Sequence, residues 1–235
     1  MKHTSIRKPL SVLLSILMVL SVFGGMAFPA GAESVSYGNY GGLYWAIDSE
    51  GVLTFSGSGA IPHVLYQTPV KLAERSDIKK VIINESVTSI GELGLSYLSN
   101  LTDLVFTSAP TLSDQVFRNC GKLVNVTLPE GMTRIPYLAF YWVNTLTSIK
   151  LPSTITTIET EAFNMTTMLK RVTLPTTATL GGGAFEAFGN TYKTFVFLGA
   201  SRSFRDGELA YLDGTDTVCA PKAANTIIRA AQGRS

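Results

Sequence analysis

Few residues of this chain have the types and spacing that acid–base or nucleophilic chemistry requires. Glu159 and Glu161 stand two apart, which would put both carboxylates on one side of a strand, and such a pair could attack a glycosidic bond. Solvated surface charge is the simpler reading, and it is the one adopted. Beyond the N-terminal segment there is one histidine, His63, in AIPHVL. A dyad of His63 with Cys120 or Cys219 would need a coincidence in space that no spacing supports. Asp206-Gly207-Glu208 and Asp213-Gly214-Thr215-Asp216 offer oxygen ligands for calcium without EF-hand spacing, so residues 206–216 leave only weak calcium binding open. Gly181-Gly182-Gly183 lacks the Gly-Lys-Ser/Thr of a phosphate loop and reads as a flexible turn. The expectation is no catalytic residue, no cofactor and no metal.

Binding chemistry is better represented. Four residues, Tyr97, Arg118, Tyr141 and Trp142, fall at corresponding places in successive stretches of the chain, within the outward pairs Ser96/Tyr97, Arg118/Asn119, Tyr141/Trp142 and Asn164/Met165. Aromatic rings with a polar handle beside an arginine are common anchors of protein or carbohydrate contacts. The competing reading is that Trp142 merely shields Tyr137 and the adjacent edge.

The elements that must position these residues follow from a repeat of about 23 residues. Segments starting at Ile78, Leu101, Leu123, Leu146 and Leu169 align, and a partial unit starts at Thr194. Each opens on an apolar residue and places two more at strand spacing: Val81/Ile83, Leu104/Phe106, Val126/Leu128, Ile149/Leu151 and Val172/Leu174. A second pair follows, as in Ile155/Ile158, and then a small-plus-large pair, Ala139-Phe140, Ala162-Phe163 or Ala184-Phe185. One such unit cannot offset its own conformational entropy, about 1–2 kcal/mol per residue. Units must therefore stack, with parallel strands about 4.8 Å apart.

The stretches LPEGMTRI, LPSTITTI and the Ala-Phe pairs resemble the consensus of the BspA-like leucine-rich repeat family, and GLYWAIDSEGVLTFSGSGAIP (42–62) is similar to the hairpin that precedes such repeats. The family's cysteine position is filled here by Leu98, Cys120, Val143 and Thr166, and the first unit has Gly94-Leu95 for Ala-Phe. The resemblance implies a leucine-rich repeat solenoid, mainly β with parallel stacked strands, in a secreted or cell-surface protein of adhesion and host interaction. It implies no enzymatic activity.

Lys2, His3, Arg7 and Lys8 precede an uncharged run, Leu10 to Phe23, and Ala30-Gly31-Ala32 supplies small residues for cleavage before Glu33. Residues 1–32 are expected to be a signal peptide. Without its Lys2, Arg7 and Lys8 the formal +2 becomes about −1, which offers nothing to nucleic acid or to an anionic membrane surface. The expected organisation is a hairpin cap over 33–77, with strands LYWAID and VLTFS and Trp45 packed on the first coil. The array follows over 78–200, and a C-terminal cap over 201–235 has a short helix beginning at Pro221. Cys120 and Cys219 lie several coils apart, on the order of 19 Å at strand spacing, so two free thiols are expected rather than a disulfide. The expected partner is a host or cell-surface protein, with a glycan as the alternative. Lys80, Lys150 and Arg171, with Asp103 between, face outward from the strands as a mildly basic mixed surface.

Overall fold

The structure is a computed structural model that describes residues 34–63, 72, 75–186, 193–199 and 217–219. The expected signal peptide, the calcium candidate at 206–216 and the helix expected from Pro221 lie outside the described residues. Among the described residues there is no helix. The molecule is mainly β, and its parallel strands stack coil on coil as the period requires.

Three strands begin it: β1 (Ser34–Tyr40), β2 (Leu43–Asp48) and β3 (Val52–Gly57), paired antiparallel in sequence order. The hairpin of β2 and β3 matches the expectation. The strand β1 was not foreseen, because SVSYGNY has no apolar alternation to mark it. Trp45 is buried, with its ring against Gly38 and under the Arg75 guanidinium, 5.6 Å from the ring centre. A short β4 (Gly59–Ile61) closes the cap.

Each coil then contributes two strands. They are β5 (Lys80–Ile83) and β6 (Val87–Ile90), β7 (Asp103–Phe106) and β8 (Thr111–Leu112), β9 (Asn125–Thr127) and β10 (Arg134–Ile135), β11 (Ser148–Lys150) and β12 (Thr157–Ile158), then β13 (Arg171–Pro175) and β14 (Thr179–Leu180). After them come β15 (Thr194–Leu198) and β16 (Thr217–Cys219). First strands pair with first strands and second with second, so the coil has two strand faces. A third face is made of turns between the second strand and the next coil. The register aligns Val81 with Leu104 and Val126, and Ile149 with Val172 and Phe195. All but Val126, which is partly buried and packs against it, belong to one continuous core that runs from the cap to Phe197. The positions predicted to face inward do so. Leu98, Cys120, Val143 and Thr166 are also fully buried, so the family's cysteine position accepts any small or aliphatic group that fills it.

Each strand face is interrupted once, at the third coil. The order β1-β2-β3-β5-β7-β9 stops and resumes as β11-β13-β15-β16, while β4-β6-β8 stops and resumes as β10-β12-β14. The second interruption has a visible cause. At the end of each second strand an N–H donates to the previous coil: Gly91 to Ile61, Ser113 to Ile90, Glu159 to Ile135 and Gly181 to Ile158, all at 2.7–2.9 Å. The third coil has Pro136 at that position, and proline has no N–H. The carbonyl of Leu112 is instead met by Arg134 Nη1 at 3.2 Å. Beside the other interruption, Val126 and Leu128 are only partly buried, unlike their counterparts in the other coils.

A candidate ligand surface on the turn face

The turn face is built from alternation in the backbone. Leu93 and Tyr97, Gln115 and Asn119, Leu138 and Trp142, and Glu161 and Met165 all have φ between 53° and 62°. Residues between them close tight turns within the coil, as Ser96 N–H to Leu93 O and Tyr141 N–H to Leu138 O, both 3.1 Å. Alternate N–H groups are thereby turned toward the next coil. Tyr97 donates to Arg118 O at 2.8 Å, Asn119 to Tyr141 O at 2.9 Å, Trp142 to Asn164 O at 3.1 Å and Met165 to Glu186 O at 2.8 Å. This ladder has no interruption from the first coil to the fifth. Inside it, Phe117, Phe140, Phe163 and Phe185 stack with centroids 5.0–5.3 Å apart, the last two steps nearly parallel.

The left-handed conformation sorts the outward pairs. Ser96 and Asn164, expected outward, are buried, because the residue before each left-handed position turns back toward the coil. Arg118 and Tyr141, the other first members, are half-buried. The exposed column is the second member of each pair: Tyr97 at 40% and Trp142 at 46%, with Asn119 and Met165 half-buried between and beyond them. Tyr137 is itself exposed, so Trp142 is not its cover.

The structure brings together all four predicted residues. The Arg118 guanidinium lies 5.0 Å from the centre of the Tyr141 ring, and Tyr141 meets Trp142 edge-on, centroids 5.9 Å apart. Tyr97 joins them through its backbone bond to Arg118. With the Asn144 amide oriented to satisfy both its ends, it accepts from Trp142 Nε1 at 2.8 Å and donates to Met165 O at 2.7 Å. The indole is therefore held at its edge while nearly half of the residue stays exposed. Arg118 is itself held by the Gln115 side-chain oxygen, Gln115 Nε2 donates to Glu92 at 2.9 Å, and Glu92 lies 3.4 Å from His63 Nδ1. Asn144, Gln115 and Glu92 had no signal in the sequence, since their partners sit on neighbouring coils.

The other candidates are accounted for structurally. Glu159 does not pair with Glu161. It binds Arg134, whose Nη2 reaches Glu159 at 2.9 Å and Asp114 at 3.0 Å, and it accepts from Tyr137 N–H at 3.0 Å. Arg134 holds the Glu159 carboxyl below its usual range, the reverse of what a general acid needs. His63 faces Glu92, while Cys120 donates to the buried Leu95 carbonyl at 3.3 Å, so they form no dyad. Cys120 is a free thiol pushed up to about 12 by burial. The glycine run is no loose turn: Gly183 takes a left-handed position, and a Cβ on Gly181 would lie 2.3 Å from the Thr160 nitrogen. Among the described residues no cluster of three metal-ligating side chains occurs. On the first strand face, Lys80, Asp103 and Asn125 form one outward column, Ser148 and Arg171 pair in another beyond the interruption, and Lys150 pairs with Thr173 beside it. Asp103 is held below the carboxylate range by hydrogen bonds from Thr102 and Asn125.

A stacked array of coils carrying a buttressed aromatic column defines a class: a solenoid repeat protein of the kind that serves as an interaction module. The chain belongs to the BspA type leucine rich repeat region family, six copies of which match residues 71–192. That family and its fold are typically non-catalytic. No curated protein matches the sequence. A leucine-rich repeat protein from Bacteroides ovatus shares the fold at TM-score 0.52 and 19% identity, covering 84% of this chain and 54% of its own, so this chain spans about half of it. One from T. pallidum aligns at TM-score 0.45 and 14% identity over 89% of this chain and 97% of its own.

Proposed function

We propose that this chain is an exported, non-enzymatic module that binds proteins at a cell or host surface, and that Tyr97, Arg118, Tyr141 and Trp142 carry the binding. One observation supports this reading above the rest. The left-handed backbone that the turn ladder imposes costs an L-residue about 1–2 kcal/mol and is adopted readily by asparagine or glycine. Asn119 and Gly183 are the inexpensive choices; Trp142 is an expensive one, as are Leu93, Tyr97, Gln115, Leu138, Glu161 and Met165, but it is the largest and most exposed of the column. Nor does Trp142 recover the cost by burial, since nearly half of it is open to solvent. A large ring held in strain, tethered at its nitrogen and left exposed is what an interface anchor needs. The expected export signal over residues 1–32 and the family's association with surfaces support a location outside the cell.

The test has two arms. Fractionation of the producing cells should find the chain, shortened to begin near Glu33, in the medium or on the surface; cytoplasmic retention of the full-length chain would defeat the export reading. Binding of the immobilised protein to a panel of extracellular host proteins should fall at least tenfold in Trp142→Ala. Unchanged binding in that variant and in Tyr141→Ala would remove the surface from consideration.

A further inference from the structure

We infer that the third coil is a joint: the cap with the first two coils forms one block, the coils from the fourth onward form another, and the array bends between them. The inference does not depend on the binding reading above. The carrying observation is where strand pairs between coils are missing among the described residues. Between the second and third coils the second strand face has none, and between the third and fourth the first strand face has none. Every other junction from the cap to the fifth coil is paired on both strand faces. The two gaps lie on different faces of one coil, so at each junction the opposite strand face stays bonded and serves as the pivot.

What spans the gaps is compliant. Across the first, Arg134 Nη1 meets Leu112 O at 3.2 Å and Nη2 meets Asp114 at 3.0 Å. Across the second, Thr145 Oγ1 donates to Leu123 O at 2.9 Å, and the Ser153 hydroxyl and N–H donate to Glu130 at 2.8 and 3.1 Å. A side chain reaches its partner through rotatable bonds, so these tethers yield where a backbone ladder would not. Apolar contact is thin there too: Val126 and Leu128 are partly buried, while Ile149, Leu151, Val172 and Leu174 are buried. The ring stack agrees. Phe117 and Phe140 are turned 29° from each other across the first gap's junction, whereas the next two steps lie within 1° and 6° of parallel. In a repeat array each coil is held only by its neighbours, so weak contacts on both sides of one coil separate the blocks. The turn face stays bonded across both junctions, through Asn119 N–H to Tyr141 O at 2.9 Å and Trp142 N–H to Asn164 O at 3.1 Å. Bending therefore carries the candidate surface along intact.

The experiment measures distances between two spin labels by pulsed electron resonance in the full chain carrying Cys219→Ser; Cys120 is buried and escapes labelling. One pair, Lys80→Cys with Arg171→Cys, straddles the joint from β5 to β13. The control pair, Tyr37→Cys with Asp103→Cys, lies within the first block from β1 to β7. Both span four strand steps, about 19 Å. The straddling pair should give a distance distribution at least twice as broad as the control. Pro136→Ala, which supplies the missing N–H, should narrow it, and Arg134→Ala, which removes a tether, should broaden it further. The control distribution should not respond to either. Indole emission from the exposed Trp142 should be the same in all of these chains, since Trp45 is buried in the cap. Equal widths for the two pairs would overturn the inference, as would a straddling distribution indifferent to both Pro136→Ala and Arg134→Ala. A shift of indole emission in Arg134→Ala would overturn the claim that the turn face is carried intact.

Discussion

The turn face keeps two of its three rungs unbroken through five coils, losing only the one that Leu138 would make, whereas each strand face is interrupted once, and both interruptions fall at the third coil. The difference lies in what each ladder demands of its residues. A strand face needs an N–H at each corner, and one proline in the corner position leaves the Leu112 carbonyl to a side chain. The turn ladder needs only that two residues per coil, four apart, accept a left-handed backbone, which any residue can do at some cost, and the phenylalanine stack beneath holds the coils together there. The third coil is thus joined to the second by one strand face, to the fourth by the other, and to both by the turns. Trp142 and Tyr141 sit on that coil, on the one side bonded to both neighbours.

The largest expected effect comes from breaking the continuous face. Phe140→Ala removes the ring between Phe117 and Phe163 and should cost about 3–5 kcal/mol in chemical denaturation. A loss below 1 kcal/mol would mean that the stack is not what holds the turns. Next is the device that bridges the interruption. Arg134→Ala leaves the Leu112 carbonyl and Glu159 without their partner and should cost about 1 kcal/mol, with faster hydrogen exchange around the third coil. Supplying the missing donor with Pro136→Ala in the same molecule should recover part of that loss. If the double variant is no better than Arg134→Ala, Pro136 is not the cause of the break.

The same ion pair sets a pH dependence. The Glu159 carboxyl is held below the ordinary glutamate value of 4.5 by Arg134, so it contributes stability at neutral pH. That contribution fades as pH falls below 4.5 through the lowered native value. Acid unfolding should be shallower in Arg134→Ala than in the unaltered chain. A smaller effect, of opposite sign, sharpens the comparison at the ligand surface: Trp142→Asn relieves the left-handed strain and should stabilise the fold by up to about 1 kcal/mol while removing binding. A variant that lost stability instead would show that the exposed indole serves the fold. The smallest effect expected is at Cys120, where burial pushes the thiol up to about 12. A thiol reagent at neutral pH should leave it untouched until the chain is unfolded.

Much of this was legible in the residues. Alternation within each unit gave the inward positions because burial is decided one strand at a time, and Val81, Leu104, Ile149 and Val172 are all in the core. Glu159 and Glu161 read as solvated surface charge, but the environment of Glu159 was not foreseen: it answers to an arginine one coil away, and no spacing within a unit reveals that. Likewise the pairs on the turn face were found as a recurrence, but which member points outward depended on backbone handedness. Arg118 and Tyr141 were named together without any means of seeing that one lies over the other.

The sequence by itself determined the period, the stacked parallel architecture and the apolar columns, since each follows from where a residue falls within its own unit. Tertiary structure alone decided the lateral facts: that Tyr97 and Trp142 share a column two coils apart, that Asn144 holds the indole, and that Arg134 stands in for the proton Pro136 lacks. A repeat written along one dimension fixes what each coil buries, but hydrogen bonds across coils depend on how neighbouring turns are staggered and on the sign of φ at their corners.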